Sequence, residues 1–116
     1  MRLRPSMREN FRYILAVITP DLTFESRDVY RAIAESVMSL YGDSIAAQVW
    51  PSVMKVEGSH VIIRCRRGTE QYLETALSAI SLIQGIPAGV RPVKTSGTIQ
   101  TLKEKIRSHT DKRDAK

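Results

Sequence analysis

The sequence has very little cysteine, few aromatic residues and no long apolar run. Its single cysteine, Cys65, cannot form an internal disulfide, and two histidines in 116 residues cannot build a zinc site with it. The longest apolar stretches, residues 14–18 and 61–63, fall far below the roughly 20 residues of a membrane-spanning helix. The sequence therefore predicts neither a disulfide-stabilised secreted domain nor a membrane protein. We expect a reducing, cytoplasmic location.

Positive charge is in excess and is concentrated in blocks. The chain carries 18 Lys and Arg against 12 Asp and Glu, for a net charge of +6. Residues 1–13, 60–95 and 96–116 each carry a net charge of +3, whereas residues 14–59 carry −3. A chain of this length has room for one domain. The basic blocks favour a polyanionic partner, and nucleic acid above the others.

A strand and a helix are predicted in the first part of the chain. Phe11–Thr19 is a β-branched and aromatic run that ends before Pro20, and its apolar residues on both faces indicate a central strand. Apolar residues then recur at helical spacing over 26–41. Ser26 is a suitable N-cap for this helix, and Gly42 a suitable C-cap.

The later patterns alternate between strand and helix. They predict strands over residues 46–57, 60–67 and 90–95, a helix over 69–85 capped by Thr69, and a helix over 99–107 capped by Thr98. Pro51 and Pro92 lack the N–H that a central strand donates, so their strands belong at sheet edges. The order predicts an α+β fold, a two-layer ferredoxin-like sandwich of the RNA-recognition-motif type, with sheet order 4-1-3-2 and an extra C-terminal helix.

The domain organisation follows from these patterns. Residues 1–10 are expected to be a basic N-terminal extension, residues 11–107 a single RNA-binding domain, and residues 108–116 a disordered basic tail.

Few residues suit catalysis or metal binding. Asp28 is expected to complement the dipole at the start of the first helix, because acidic residues there are usually structural. Strand alternation places Cys65 on an apolar face as a small core residue, and His60 is expected to be a solvated turn residue. Trp50 and Met54 are expected in the core, with a partner-binding face as the alternative. No catalytic residue and no metal ligand is predicted.

Nucleic-acid contacts are predicted at the basic residues. Alternation in the third strand places Arg64 and Arg66 on the face opposite Cys65, and a strand without aromatics other than His60 disfavours base stacking on the sheet. The glycine-containing turn before the third helix fits a phosphate, since backbone amides there can turn toward an anion. The predicted RNA contacts are Arg8, Arg12, Arg64, Arg66, Arg67, Arg91, Lys94, Ser96, Gly97, Thr98, Lys103, Lys105 and Arg107.

Several motifs resemble one known family. They are Phe11-Arg12-Tyr13-Ile14-Leu15, Leu40-Tyr41-Gly42, Ile62-Ile63-Arg64-Cys65-Arg66, Ala76-Leu77 and Thr95-Ser96-Gly97-Thr98-Ile99. In order and spacing they resemble ribonuclease P protein component 2, the archaeal counterpart of the eukaryotic Pop-five subunit. Tyr41 stands where a Phe is usual, and Ser44 where a second glycine often stands, which affects a loop away from the basic blocks.

The resemblance implies an RNA-binding subunit of the ribonucleoprotein that removes the 5′ leader of precursor tRNA. In this family the catalytic groups and Mg²⁺ ions belong to the RNA, so the chain is expected to hold no cofactor and to be non-catalytic alone. The implied partners are ribonuclease P RNA, precursor tRNA, a TIM-barrel-like protein subunit and a second copy of the chain within a heterotetramer. Arg64, Arg66, Arg67 and residues 94–107 are the implied RNA contacts.

Two other functions share the predicted fold. A small-molecule regulatory or oligomerisation module is the alternative to RNA binding, because many ferredoxin-like domains have that role. An acylphosphatase-type hydrolase is disfavoured, because it needs an arginine in a phosphate-binding loop and residues 20–25 contain neither arginine nor glycine.

Overall fold

The computed structural model describes residues 10–114 of the chain. A four-stranded antiparallel sheet is built from β1 (Phe11–Thr19), β2 (Ser52–Glu57), β3 (His60–Arg66) and β6 (Gly89–Ser96). A small hairpin comprises β4 (Leu82–Ile83) and β5 (Ile86–Pro87), and the helices are α1 (Ser26–Val49), α2 (Glu70–Ala79) and α3 (Ile99–Asp114). The sheet order β2-β3-β1-β6 confirms the predicted arrangement, with the two proline-associated strands at the edges.

One face of the sheet packs against α1 and α2, and we call it the helical face. Alternate residues of β1 and β3, such as Ile14 and Ile63, meet Ile33 of α1 and Leu77 of α2 in the main core. Cys65 is fully buried among them, which confirms its predicted place in the core. The inward-facing residues of the strands and the apolar faces of the two helices thus pack into one continuous cluster.

The opposite face of the sheet packs against α3, and we call it the α3 face. Leu15 of β1 and Ile62 of β3 form a second, smaller core with Leu102 and Ile106 of the helix. All four side chains are essentially inaccessible to solvent. The extra C-terminal helix predicted from its apolar stripe therefore covers the middle of the sheet.

The chain between residues 42 and 51 differs from the prediction. The first helix does not end at Gly42; its backbone breaks there, with φ 81° and ψ −179°, and the helix resumes as far as Val49. The strand predicted over 46–57 begins only at Ser52. The first proline of this stretch is Pro51, and Val49 is buried in the main core, so the helix resumes and continues until a left-handed Trp50 terminates it.

The second helix is shorter than predicted. It ends at Ala79 rather than near residue 85, and β4 and β5 follow as a hairpin. Gln84 and Gly85 both have positive φ, at 54° and 75°, which is the pattern of a type I′ turn. Ile83 fits the helical period of the preceding residues, but it is buried as part of strand β4 and not as part of a helix.

The predicted helix caps also differ in detail. Glu25, not Ser26, occupies the N-cap of α1, and no side-chain cap hydrogen bond forms there. Thr69 does occupy the N-cap of α2, but its hydroxyl donates to the carbonyl of Arg66 at 2.6 Å instead. This bond ties the start of α2 to the end of β3.

The C-terminal helix is longer than predicted. The sequence predicts disorder from residue 108, yet the backbone of α3 is helical as far as Asp114. No glycine or proline occurs after Gly97 to stop the helix. The predicted N-terminal extension over residues 1–9 and the last two residues lie outside the described part of the chain. Among the described helices, none is both long and apolar enough to span a bilayer.

Substitution of Gly42 by alanine is expected to destabilise the fold by about 2 kcal/mol, because its φ and ψ are accessible essentially to glycine alone. Urea unfolding followed by circular dichroism measures this difference. Gly89→Ala is the matched control, since Gly89 has no positive φ and open space at its Cβ position, and its effect should stay within about 0.5 kcal/mol. Equal effects of the two substitutions would contradict the strain argument.

Candidate nucleic-acid interface

Four segments of the chain meet at one end of the sheet. β1 starts there, whereas its antiparallel neighbours β3 and β6 end there, so Phe11 faces Arg66 and Tyr13 faces both Arg64 and Ser96. We call this region the basic end. Its predicted contact residues are Arg12, Arg64, Arg66, Arg67, Ser96, Gly97 and Thr98.

An aromatic and arginine cluster occupies the α3 face of the basic end. The Arg64 guanidinium carbon lies 4.3 Å from the centre of the Phe11 ring, and that of Arg66 lies 4.9 Å from the Trp50 ring. The two rings are 6.2 Å apart and tilted by 51°. We call these four residues the Trp50 cluster. Cation–π contacts hold the guanidinium groups in place without neutralising their charge.

A groove of about 770 Å³ opens beside the Trp50 cluster, and its lining adds Asn10, Arg67 and Gly68 to three members of the cluster. The backbone N–H of Arg67 donates to the carbonyl of Asn10 at 2.7 Å, which extends the pairing of β1 with β3 beyond the strands. This bond joins two of the residues that line the groove.

The predicted phosphate-binding turn lies at the same end, beside Arg12. A Cβ at Gly97 would lie 2.9 Å from Arg12 Nη1, so a glycine leaves room for the guanidinium to approach the backbone. The Thr98 N–H already donates to Ser96 Oγ at 3.2 Å. The Thr98 amide is therefore already engaged, whereas the Arg12 guanidinium beside the turn has no carboxylate partner among the described residues. Phosphate binding by the turn stays a prediction.

Carboxylates do not neutralise the arginines of the basic end. Within the described part of the chain, no carboxylate oxygen lies within 4.0 Å of a side-chain nitrogen of Arg12, Arg64, Arg66 or Arg67. Two acidic residues of α2 have neutral partners: Glu70 accepts a hydrogen bond from the Gly68 N–H, and Glu74 accepts one from Thr95 Oγ1 at 2.9 Å. The positive charge is left for an external partner.

Other predicted contacts lie elsewhere. Arg91 pairs with Val17, which is four residues, or roughly 13 Å, along β1 from the level of Tyr13. Lys94 lies between, opposite Leu15. The cations of α3 lie on the helix that crosses the α3 face; these are Lys103, Lys105 and Arg107. Arg8 lies outside the described residues. The predicted cationic contacts are thus concentrated at the basic end, and the others are spread along β6 and α3.

Two residues are more exposed than predicted, and one is less exposed. Trp50 is 52% exposed and Met54 is 40% exposed, so neither is a core residue. His60, predicted to be solvated, is only 5% exposed, because it lies on a central strand between Val17 of β1 and Glu57 of β2.

Sequence reasoning missed Phe11 and Trp50 as site residues. The signal for Trp50 was the Trp-Pro pair, because a residue before proline often marks the boundary of an element. Phe11 carried no signal of its own, since only the register of β1 against β3 places it beside Arg64.

The described side chains offer neither an accessible cysteine nucleophile nor a cluster of metal ligands. Burial raises the pKa of the Cys65 thiol from 9.0 to about 11, and the nearby Glu70 and Glu74 carboxylates act in the same direction. The thiol is therefore neutral near pH 7 and inaccessible. Among the described residues, no group of three or more His, Cys, Asp and Glu side chains is arranged to hold a metal ion.

A second groove, of about 550 Å³, lies between residues 23–26 and residues 53–56. It contains one lysine, one glutamate and no arginine, so its charges balance. This groove lacks the concentrated positive charge of the basic end.

The fold is a ferredoxin-like α+β domain whose arginine-rich end suits a polyanion. The chain belongs to the Rpp14/Pop5 family, whose model matches residues 12–107. The family resemblance inferred from the sequence motifs is therefore confirmed.

Curated relatives include three archaeal proteins named ribonuclease P protein component 2. The protein of Methanocorpusculum labreanum is 44% identical over 90% of this chain and 71% of the relative. The protein of Methanoculleus marisnigri is 42% identical over 93% of this chain and 69% of the relative. The protein of Pyrococcus horikoshii is 33% identical over 90% of this chain and 88% of the relative. A chain in the cryo-EM structure of yeast ribonuclease MRP has the same fold, with a TM-score of 0.64 and 14% identity over 93% of this chain and 97% of that one.

Iodoacetamide at about pH 8 is expected to modify Cys65 only after unfolding, because the native thiol is buried and neutral. Mass spectrometry with and without urea measures the modified fraction. Rapid modification of the folded chain would contradict this assignment.

The same thiol should make stability depend on alkaline pH. The contribution of the protonated thiol to the free energy of unfolding is complete below pH 9 and declines as the pH rises toward about 11. It declines because the thiol of the unfolded chain loses its proton at a lower pH than the buried thiol does. Urea midpoints should therefore fall more steeply between about pH 8 and about pH 10.5 in the wild type than in Cys65→Ala.

Proposed function

We propose that the chain is an RNA-binding protein subunit of ribonuclease P, the ribonucleoprotein that removes the 5′ leader of precursor tRNA. The observation that carries the proposal is a sheet end with four arginines whose charges no described carboxylate neutralises, in a chain of the Rpp14/Pop5 family. The names of its archaeal relatives support the particular ribonucleoprotein.

The proposed role is electrostatic. Arginine presents a planar group that donates two parallel hydrogen bonds to a phosphate, so the basic end fits the backbone of a folded RNA. Each phosphate that it neutralises releases counterions and lowers the repulsion between RNA segments that must pack together. In this mechanism the reacting groups and the Mg²⁺ ions belong to the RNA, and the chain stabilises the active fold of that RNA. Cys65, buried and neutral, contributes no nucleophile.

Protein partners belong to the proposal as well. A TIM-barrel-like subunit and a second copy of this chain, together forming a heterotetramer, would bind away from the basic end. Exposed apolar side chains on α1 offer such a surface, among them Met38 and Leu40. This helix carries three acidic and two basic residues, so it lacks the excess of positive charge that attracts RNA. We place the assembly in the cytoplasm.

Reconstitution is the direct test of the proposed function. Cleavage of a precursor tRNA by the cognate catalytic RNA at low Mg²⁺ is measured with and without this chain and its barrel partner. We expect the chain to raise the cleavage rate and to lower the Mg²⁺ needed, because its cations replace part of the counterion requirement. An unchanged rate and Mg²⁺ requirement would reject the ribonuclease P role.

Neutralising Arg66 and Arg67 is expected to weaken RNA binding and its dependence on salt. For a single strand, the negative slope of log affinity against log salt concentration should become less steep by about 0.7 for each phosphate that Arg66→Gln or Arg67→Gln no longer neutralises. Arg31→Gln is the matched control, because Arg31 is an exposed arginine on α1, away from the basic end. A slope that changes equally in all three variants would show that only net charge matters.

A further inference from the structure

Trp50 is exposed in a conformation that a bulky residue rarely adopts. It terminates α1 with φ 45° and ψ 62°, in the left-handed region where glycine is the usual residue. Its side chain is 52% exposed, and it is the only tryptophan of the chain. A strained and exposed aromatic residue at this position needs an explanation that core packing does not provide.

The surroundings of Trp50 match a flat, negatively charged ligand. The Arg66 guanidinium lies 4.9 Å from the indole ring and that of Arg64 lies 6.0 Å from it, so two cations flank one aromatic surface. Arg64 Nε is buried without a hydrogen-bond acceptor in the described part of the chain, so it is the rings that hold this side chain. The neighbouring groove of about 770 Å³ has the size of a small-molecule site.

Unpaired bases need a surface that the middle of the sheet does not offer. Leu102 and Ile106 of α3 cover Leu15 and Ile62, so no base can stack there. At the basic end, beyond this helix, an aromatic ring stays open to solvent. Single-stranded RNA is bound by such a combination of aromatic platforms and positive charge.

We propose that the Trp50 cluster and its groove bind one unpaired nucleotide of an RNA, with its base stacked on the Trp50 indole and its phosphate held by Arg66 and Arg67. This inference rests on the proposed function and specifies which RNA feature the basic end recognises. A base within a duplex cannot reach the indole, because both of its faces are already stacked. An acidic peptide carries the charge but not the flat ring.

Fluorescence of the single tryptophan reports on this site directly. Hexa-adenylate is expected to quench the emission on binding. A blunt RNA duplex of roughly 20 base pairs, compared at equal phosphate concentration so that exposed terminal bases are few, and a polyglutamate peptide are expected to leave the emission nearly unchanged. Equal quenching by the duplex, or none by hexa-adenylate that is bound, overturns the proposal.

Substitution of Trp50 separates stacking from charge. Trp50→Gly suits the left-handed backbone and should remain folded, yet it should bind labelled hexa-adenylate roughly ten-fold more weakly, with an unchanged salt slope. Trp50→Phe should retain most of the affinity. Tyr30→Ala, which removes an aromatic residue 46% exposed on α1, is the matched control and should bind like the wild type. Circular dichroism melting checks that each variant is folded.

The outcomes distinguish this site from the proposed function. If Trp50→Gly binds hexa-adenylate as tightly as the wild type while the wild-type chain stimulates precursor-tRNA cleavage, the nucleotide site is wrong and the ribonuclease P role stands. If the wild-type chain neither binds RNA nor stimulates cleavage, both are rejected. A ten-fold loss restricted to Trp50→Gly supports the nucleotide site.

Discussion

The arrangement of the functional residues depends on the antiparallel pairing of β1 with both of its neighbours. Because β3 and β6 run opposite to β1, the ends of both strands converge on the residue where β1 starts. Arg12 thereby lies beside the turn at Gly97, and Phe11 lies opposite Arg66. Segments more than 80 positions apart in the chain thus meet at one end of the sheet. Parallel pairing of either neighbour would send its arginines or its turn to the far end.

The C-terminal helix changes where this fold can bind a ligand. In the usual RNA-recognition arrangement an open sheet face carries the stacking aromatics. Here α3 covers that face with Leu102 and Ile106 and buries Leu15 and Ile62. The remaining access is at the basic end, where guanidinium groups rest on aromatic rings. The helix thus has two effects, since it completes the hydrophobic core and leaves the strand ends as the exposed surface.

Local patterns were sufficient to predict the central strands and their order. Phe11–Thr19 and the third strand are strongly apolar, and prolines mark the edges, so the sheet could be assembled from residue chemistry alone. Residues 46–50 could not be assigned, because whether the helix resumes after Gly42 depends on tertiary contacts such as the burial of Val49. That boundary determines the position of Trp50. The arginines of β3 were found by alternation, but their aromatic partners depend on cross-strand register, which no local pattern encodes.

The alternation of Arg64, Cys65 and Arg66 along β3 joins the core and the binding surface in a single stretch of chain. Moving that strand by one residue would turn both guanidinium groups into the helical core and move Cys65 and Ile63 to the α3 face. Insertions and deletions in β3 would consequently disrupt both the packing of the core and the positions of the arginines. A change in the length of β3 would therefore alter the folded state and the affinity for polyanions together.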